Sequence, residues 1–79
     1  MSNHIIKVYS IPGCHYCDLV KEYFYEKNLE YTEIDVSKDA SAFKEMVTKS
    51  AQASVPVIEI DGGIIVGFDK SSLEEIFKE

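Results

Sequence analysis

The chain has 79 residues, 46% of them hydrophobic, and a net charge of −6 at pH 7. That length accommodates one domain, predicted over residues 1–79, and leaves no room for a second hydrophobic core. The negative charge argues against nucleic acid as a partner. Because the chain has no apolar run long enough to span a membrane and Met1–His4 is unlike a signal peptide, we expect no membrane association and a cytoplasmic location.

The first predicted elements are a strand and a helix. Ile5–Ser10 is apolar and bounded by turn residues, which is typical of a short buried strand. Further along, apolar side chains recur at the spacing of an amphipathic helix, at Val20, Tyr23 and Phe24. The only two cysteines, Cys14 and Cys17, fall between these segments, so we expect them at a strand-to-helix turn.

The middle of the chain predicts a second strand and a second helix. Asn28-Leu29 interrupts the first helical pattern, and Glu30–Val36 contains β-forming residues that predict a strand. Ser37 is the predicted N-cap of the next helix. The core-facing side of that helix is expected at Phe43, Met46 and Val47.

The last third predicts a hairpin followed by a helix. Asp61-Gly62 is typical of a tight hairpin turn and separates the apolar segments Pro56–Ile60 and Gly63–Gly67. Ser71 or Ser72 is the predicted cap of a final helix, whose apolar face is Leu73, Ile76 and Phe77. The predicted order is therefore β-α-β-α-β-β-α, with a four-stranded mixed sheet and helices on both faces.

Two residues between cysteines is the spacing of a redox dithiol and also of half a zinc site. Free N–H groups and the dipole at a helix N-terminus favour a thiolate, so Cys14 is the expected nucleophile. Cys17, one turn further and more buried, is expected to resolve a mixed disulfide. Zinc prefers four ligands, and apart from the cysteines the chain offers only His4 and His15, so no metal site is predicted.

Three segments carry a resemblance to a known family. Cys14-His15-Tyr16-Cys17, Ser54-Val55-Pro56 and Gly67-Phe68-Asp69 resemble, in order and spacing, the glutaredoxin-like branch of the thioredoxin superfamily. The resemblance implies an α/β thioredoxin-like (glutaredoxin) fold and a thiol–disulfide oxidoreductase that reduces protein or low-molecular-weight disulfides. It also implies a cis bond before Pro56, beside the dithiol, and a backbone at Val55 that pairs with a bound thiol substrate.

The resemblance further implies a substrate site around the dithiol. Its expected members are Tyr16, Val55, Pro56, Gly67, Phe68 and Asp69. Asp69 occupies the position that contacts the γ-glutamyl end of glutathione in the family. The chain departs from the family at His15, which replaces a common proline, and at Ile11, which replaces a lysine that helps to hold a glutathione carboxylate.

The expected partners follow from this mixed pattern. Gly67-Phe68 is also similar to a segment of NrdH-like redoxins, which are reduced by thioredoxin reductase. We therefore expect a monomer that acts on disulfide-containing proteins and receives electrons from glutathione or from a thioredoxin-reductase-like flavoprotein. The dithiol cycle needs no cofactor, and glutathione, where it is the electron donor, is a co-substrate.

Two other questions stay open on the sequence. The domain could instead carry an iron–sulfur cluster or act as a redoxin-like binding module without turnover, and visible absorbance would distinguish a cluster carrier from a colourless oxidoreductase. His15 could either tune the reactivity of Cys14 or act as a spacer between the cysteines.

Overall fold

The computed structural model describes residues 4–77. Its elements are β1 (Ile6–Ser10), α1 (His15–Glu26), β2 (Thr32–Asp35), α2 (Ala40–Ser50), β3 (Val57–Ile60), β4 (Gly63–Val66) and α3 (Lys70–Phe77). This order confirms the predicted β-α-β-α-β-β-α arrangement. The predicted single domain of residues 1–79 includes residues 1–3 and 78–79, which lie outside the described part of the chain.

The four strands form one mixed sheet in the order β2-β1-β3-β4. β1 runs parallel to β2, whereas β3 is antiparallel to both β1 and β4. The β3–β4 turn has φ of 51° at Asp61 and 92° at Gly62. Two positive φ values match the twist that a two-residue hairpin requires, so Asp61-Gly62 forms the predicted turn.

The sheet separates two hydrophobic layers, which confirms helices on both faces. One layer lies under α1 and α3 and contains Ile6, Val8, Val20, Tyr23, Phe24, Ile58, Ile60 and Leu73. The other lies under α2 and contains Tyr9, Val36, Ala42, Met46 and Val57. Because side chains alternate along a strand, β1 and β3 supply both layers.

Both predicted serine N-caps are wrong, because an aspartate caps the helix in each case. Asp39 caps α2, and its Oδ1 accepts the Ala42 N–H at 3.1 Å. Ser37 instead donates its N–H and hydroxyl to Asp35 in the turn after β2. Helix α3 begins at Lys70, so the residue before it, Asp69, is placed to accept the free N–H groups of the first turn.

Two predicted helix faces are each confirmed for two of their three residues. In α2, Ala42 and Met46 are buried, whereas Phe43 is 38% exposed. In α3, Leu73 is buried and Ile76 lies at the surface. The other predicted residues keep their place, because Val47 packs against the core beside Met46 and Phe77 packs against it beside Leu73.

Several strand ends also differ from the predictions. β2 spans Thr32–Asp35 rather than Glu30–Val36, and its pairing with β1 extends only from Lys7 opposite Thr32 to Ser10 opposite Asp35. The other three strands are each shorter by one residue, at Ile5, Pro56 and Gly67.

Candidate active site

The topology brings the three predicted motifs to one end of the sheet. β1 ends at Ser10 and leads into the cysteine loop, and Tyr9 is paired with Val57 at the start of β3. At the same end, the Gly67 N–H donates to the Pro56 carbonyl at 2.8 Å, just beyond the β3–β4 ladder. The segments that carry Cys14, Pro56 and Gly67 therefore leave the sheet side by side.

Cys14 is the N-cap of α1, which agrees with the predicted position of the cysteines at a strand-to-helix turn. Its Sγ accepts the Cys17 N–H at 3.2 Å, and its carbonyl accepts the Asp18 N–H at 3.1 Å. Gly13, immediately before it, has φ of 77°, a value that favours glycine in the turn from strand to helix. A sulfur at this position receives a free helix N–H, and this contact stabilises a thiolate.

The two cysteines differ in exposure. They are joined as a disulfide with Cα atoms 5.2 Å apart, within the ordinary range for such a bond. The Cys14 residue is partly exposed, whereas the Cys17 residue is 0% exposed. An external disulfide can therefore reach Cys14 and is kept from Cys17.

The Val55–Pro56 peptide bond is cis, as predicted. Pro56 is buried and Val55 is partly exposed, in the segment that leads into β3. The pairing of a bound thiol substrate with the Val55 backbone stays a prediction.

Gly67, Phe68 and Asp69 connect β4 to α3. Gly67 has φ of 77°. The Phe68 ring packs against the layer beneath α1, with its centroid 6.4 Å from that of Tyr23, so only part of the ring faces outward. This placement leaves Phe68 a smaller contact surface than a fully exposed ring would offer.

Asp69 has a structural partner that the sequence did not indicate. Its Oδ1 accepts the Ser72 N–H at 3.2 Å and its Oδ2 accepts the Ser72 hydroxyl at 2.9 Å. The hydrogen bond from the Ser72 hydroxyl, and to a smaller extent the one from the Ser72 N–H, holds the pKa of this carboxyl below its usual value. An ionised carboxylate has about four lone-pair sites, so Asp69 can cap α3 and still accept hydrogen bonds from a ligand.

Three side chains beside the dithiol reach solvent. Tyr16, between the cysteines, is 61% exposed, and its ring centroid lies 5.6 Å from that of His15. Ile11, which precedes Cys14 by three residues, is 38% exposed. The surface around Cys14 thus presents apolar and aromatic groups on the side where the family commonly has a lysine.

One group of residues near the dithiol was missed by the sequence analysis. The Glu33 carboxylate on β2 accepts the Ser10 hydroxyl at 3.0 Å and the Lys21 ammonium at 2.8 Å, both at Oε2. Lys21 also lies 3.5 Å from Asp18 in the first turn of α1. The spacing of Asp18 and Lys21 could have indicated their contact. Glu33 is distant from both in the sequence and comes close to Lys21 only because β2 pairs with β1 in this register.

Lys21 and Glu33 each stabilise the charged form of the other. The hydrogen bond from Lys21 lowers the pKa of Glu33, and the same bond raises the pKa of Lys21. Both groups are therefore charged at neutral pH.

The histidines do not join the cysteines in a four-ligand site. His4 lies at the opposite end of the sheet, where its Nδ1 is 2.6 Å from Asp61 Oδ2. Within residues 4–77, no three His, Cys, Asp or Glu side chains are grouped as metal ligands. The helices of this same part of the chain include none that is long and apolar enough to cross a membrane.

Comparisons of the sequence with known proteins agree on one family. The glutaredoxin family model matches residues 6–65. A glutaredoxin-like 8.6 kDa protein in the rubredoxin operon of Clostridium pasteurianum is 41% identical over 75 residues, covering 95% of this chain and 100% of that protein. N-acetyl-S-hydroxy-L-cysteine reductase of Bacillus subtilis is 40% identical over 58 residues, covering 73% of this chain and 62% of the reductase.

A solved structure extends this agreement to the fold. The crystal structure of the thioredoxin-like protein BC3987 is 36% identical and matches with a TM-score of 0.85 over 91% of this chain and 99% of that one. Since the family model covers most of the sequence and the fold is the one expected for such a sequence, this chain belongs to the glutaredoxin family.

Proposed function

We propose that this protein is a thiol–disulfide oxidoreductase that reduces protein or low-molecular-weight disulfides with the Cys14–Cys17 dithiol. Its family and its cysteine spacing support a thiol–disulfide redox function in general. The observation that carries the proposal is the unequal exposure of the pair: Cys14 caps α1 and is partly exposed, whereas Cys17 is fully buried. This arrangement suits one cysteine to attack and the other to resolve.

The reaction has two exchange steps. In the reduced protein, the Cys14 thiolate attacks one sulfur of a substrate disulfide, the substrate S–S bond breaks, and the leaving thiolate takes up a proton. Cys17 then loses its proton and attacks Cys14 Sγ, which forms the intramolecular disulfide and releases the second substrate thiolate. The protein dithiol loses two electrons and the substrate disulfide gains them.

The segments beside the dithiol are the proposed substrate site. An extended substrate would pair its backbone with Val55, which precedes the cis proline. Tyr16 would contact the substrate through its exposed ring, and Asp69 would accept hydrogen bonds from an amino group.

The proposed electron donor is a thioredoxin-reductase-like flavoprotein, with glutathione as the weaker donor. Ile11 stands where the family's lysine helps to hold a glutathione carboxylate. Loss of one charge-assisted hydrogen bond, about 1.5–3 kcal/mol, corresponds to roughly ten- to a hundredfold weaker binding. The exposed side chains of Ile11 and Tyr16 suit an apolar protein surface better than a charged tripeptide.

The relative in Bacillus subtilis favours a second candidate function, reduction of a small S-hydroxylated cysteine derivative, which is a sulfenic acid. The same dithiol could perform it: the Cys14 thiolate attacks the sulfur, the S–O bond breaks, and the leaving hydroxide takes up a proton to become water. Cys17 then resolves the mixed disulfide and releases the free thiol. Both candidates use the same two cysteines and differ only in the leaving group.

Parallel turnover assays test these proposals. Purified protein is supplied with a protein disulfide, a small disulfide or an S-hydroxylated cysteine derivative. Electrons come from glutathione with glutathione reductase or from thioredoxin reductase, each with NADPH. We expect disulfide turnover, at least as fast with thioredoxin reductase. A protein that absorbs visible light and turns over none of these substrates would instead support the cluster-carrying alternative.

A further inference from the structure

Four side chains connect the two ends of the dithiol loop. Ser10 is the last residue of β1 and is 1% exposed, and its hydroxyl donates to Glu33 on β2. Glu33 accepts a second hydrogen bond from Lys21, and Lys21 lies 3.5 Å from Asp18, directly after Cys17. The chain therefore enters the loop at one end of this network and leaves it at the other.

Lys21 lies on the same helix as Cys17, one turn further along, and two turns beyond Cys14, which caps that helix. It follows Cys17 by four residues on α1, and residues at that spacing are neighbours on one face of a helix, about 6 Å apart at Cβ. Both carboxylates that contact Lys21 are more exposed than it is: the side chains of Asp18 and Glu33 are 69% and 44% exposed, and that of Lys21 is 27% exposed. The Lys21 side chain as a whole is therefore less exposed than the side chains of its two carboxylate partners.

Other charged groups lie around α1. His15 is in its first turn, Asp35 lies at the end of β2, and Asp69 precedes α3 with its carboxylate bonded to Ser72. On the α3 side, Glu74 contacts the distal half of α1, through the Tyr23 hydroxyl and the Lys27 ammonium. None of these substitutes for the direct bond between Lys21 and Glu33.

We propose that Lys21 and Glu33 are positioning residues that set the thiolate content of the dithiol, with Lys21 favouring the thiolate and Glu33 opposing it by holding the ammonium. This inference rests on the proposed dithiol function. A positive charge near a thiol stabilises its ionised form, and a negative charge disfavours it. Removal of each partner therefore changes the thiol titration in opposite directions.

The expected shifts are modest because the pair is partly exposed. Lys21 is four residues from Cys17 and seven from Cys14, so one uncompensated charge there, screened by solvent, changes a thiol pKa by about half a pH unit. Lys21→Met should therefore raise the pH at which Cys14 becomes reactive, and Glu33→Gln should lower it. At a fixed ratio of reduced to oxidised dithiothreitol, the ratio of reduced to oxidised protein should fall about threefold in Lys21→Met and rise about threefold in Glu33→Gln.

The experiment measures the alkylation rate of the reduced full chain against pH, together with that redox equilibrium. The double variant Lys21→Met/Glu33→Gln should titrate close to the unmodified protein, and Lys21→Arg should match it because the charge is retained. A matched control is the pair on the other face of the sheet, where Lys49 donates to Glu59 at 2.7 Å and links α2 to β3. Lys49→Met and Glu59→Gln should leave the titration unchanged.

Shifts of Lys21→Met and Glu33→Gln in the same direction, or shifts no larger than those of the controls, would overturn the inference. If Lys21→Met does not fold, the decision passes to Glu33→Gln: a downward shift supports the inference, and an unchanged titration refutes it. A protein whose dithiol titrates and cycles but reduces no substrate would refute the proposed function while leaving this comparison intact.

Discussion

Asp69 has two expected roles, and a charge-only substitution separates them. Asparagine caps helices about as well as aspartate but carries no charge, whereas alanine provides neither property. Because Asp69 accepts both the N–H and the hydroxyl of Ser72, Asp69→Ala should lower Tm by roughly 4–8 °C for a domain of this size. Asp69→Asn should retain most of that stability.

The binding role should respond differently to the same pair of substitutions. If the carboxylate accepts the amino group of glutathione, both variants should raise the KM for glutathione about tenfold, the value of one charge-assisted contact. Thermal unfolding measures the first effect, and glutathione-dependent reduction of a model disulfide measures the second.

Asp39 provides the matched control for this experiment. It caps α2 through the Ala42 N–H at 3.1 Å, on the other face of the sheet. Asp39→Ala should destabilise the protein without changing the KM. An equal loss of Tm in Asp69→Asn and Asp69→Ala would refute the capping argument, and an unchanged KM in Asp69→Asn would refute the binding argument.

Four further predictions concern the dithiol and its surroundings. Cys14→Ser should abolish disulfide reduction and Cys17→Ser should accumulate a mixed disulfide; mass spectrometry with oxidised glutathione would contradict these roles by finding the adduct on Cys17 instead. His15→Ala should move the alkylation titration of Cys14 upward, toward the free value of about 8.5, and an unchanged titration would make His15 a spacer. Ile11→Lys should raise the glutathione-linked rate and leave the reductase-linked rate nearly constant, so efficient glutathione turnover by the unmodified protein with no gain from this change would refute the proposed donor. Lys21 lowers the pKa of Glu33, so the ion pair stabilises the fold above the ordinary pKa of 4.5, and this stabilisation is lost as pH falls through the lower pKa of the folded protein. In urea unfolding, the free energy of unfolding of Glu33→Gln should therefore fall less on acidification than that of the unmodified protein.

Local sequence patterns were sufficient to predict the element order and the dithiol. The position of Cys14 follows from a strand on one side and a helical stripe on the other, and the turn at Asp61-Gly62 follows from the preference of those residues for positive φ. Each of these features depends on residues close together in the chain. The glutaredoxin resemblance added the cis bond before Pro56, which no local pattern required.

Features that depend on distant residues or on competition between neighbours were not predictable in the same way. Ser37 and Asp39 are both good capping residues, and only the length of the turn after β2 decides between them. The exposure of Phe43 depends on how α2 lies on the sheet. Glu33 meets Lys21 because of the β1–β2 register, which the sequence does not specify residue by residue.

The burial of Cys17 also affects how the protein would withstand peroxide. A thiolate that oxidants can reach is converted to a sulfenic acid and then, irreversibly, to sulfinic and sulfonic acids. Here Cys14 is partly exposed and its Cα lies 5.2 Å from that of Cys17, so its sulfenic acid can condense with the Cys17 thiol and release water before a second oxidant arrives. Since Cys17 is itself out of contact with solvent, the sulfenic acid is expected to end as the same disulfide that closes the proposed catalytic cycle, and an ordinary reductant then restores the dithiol.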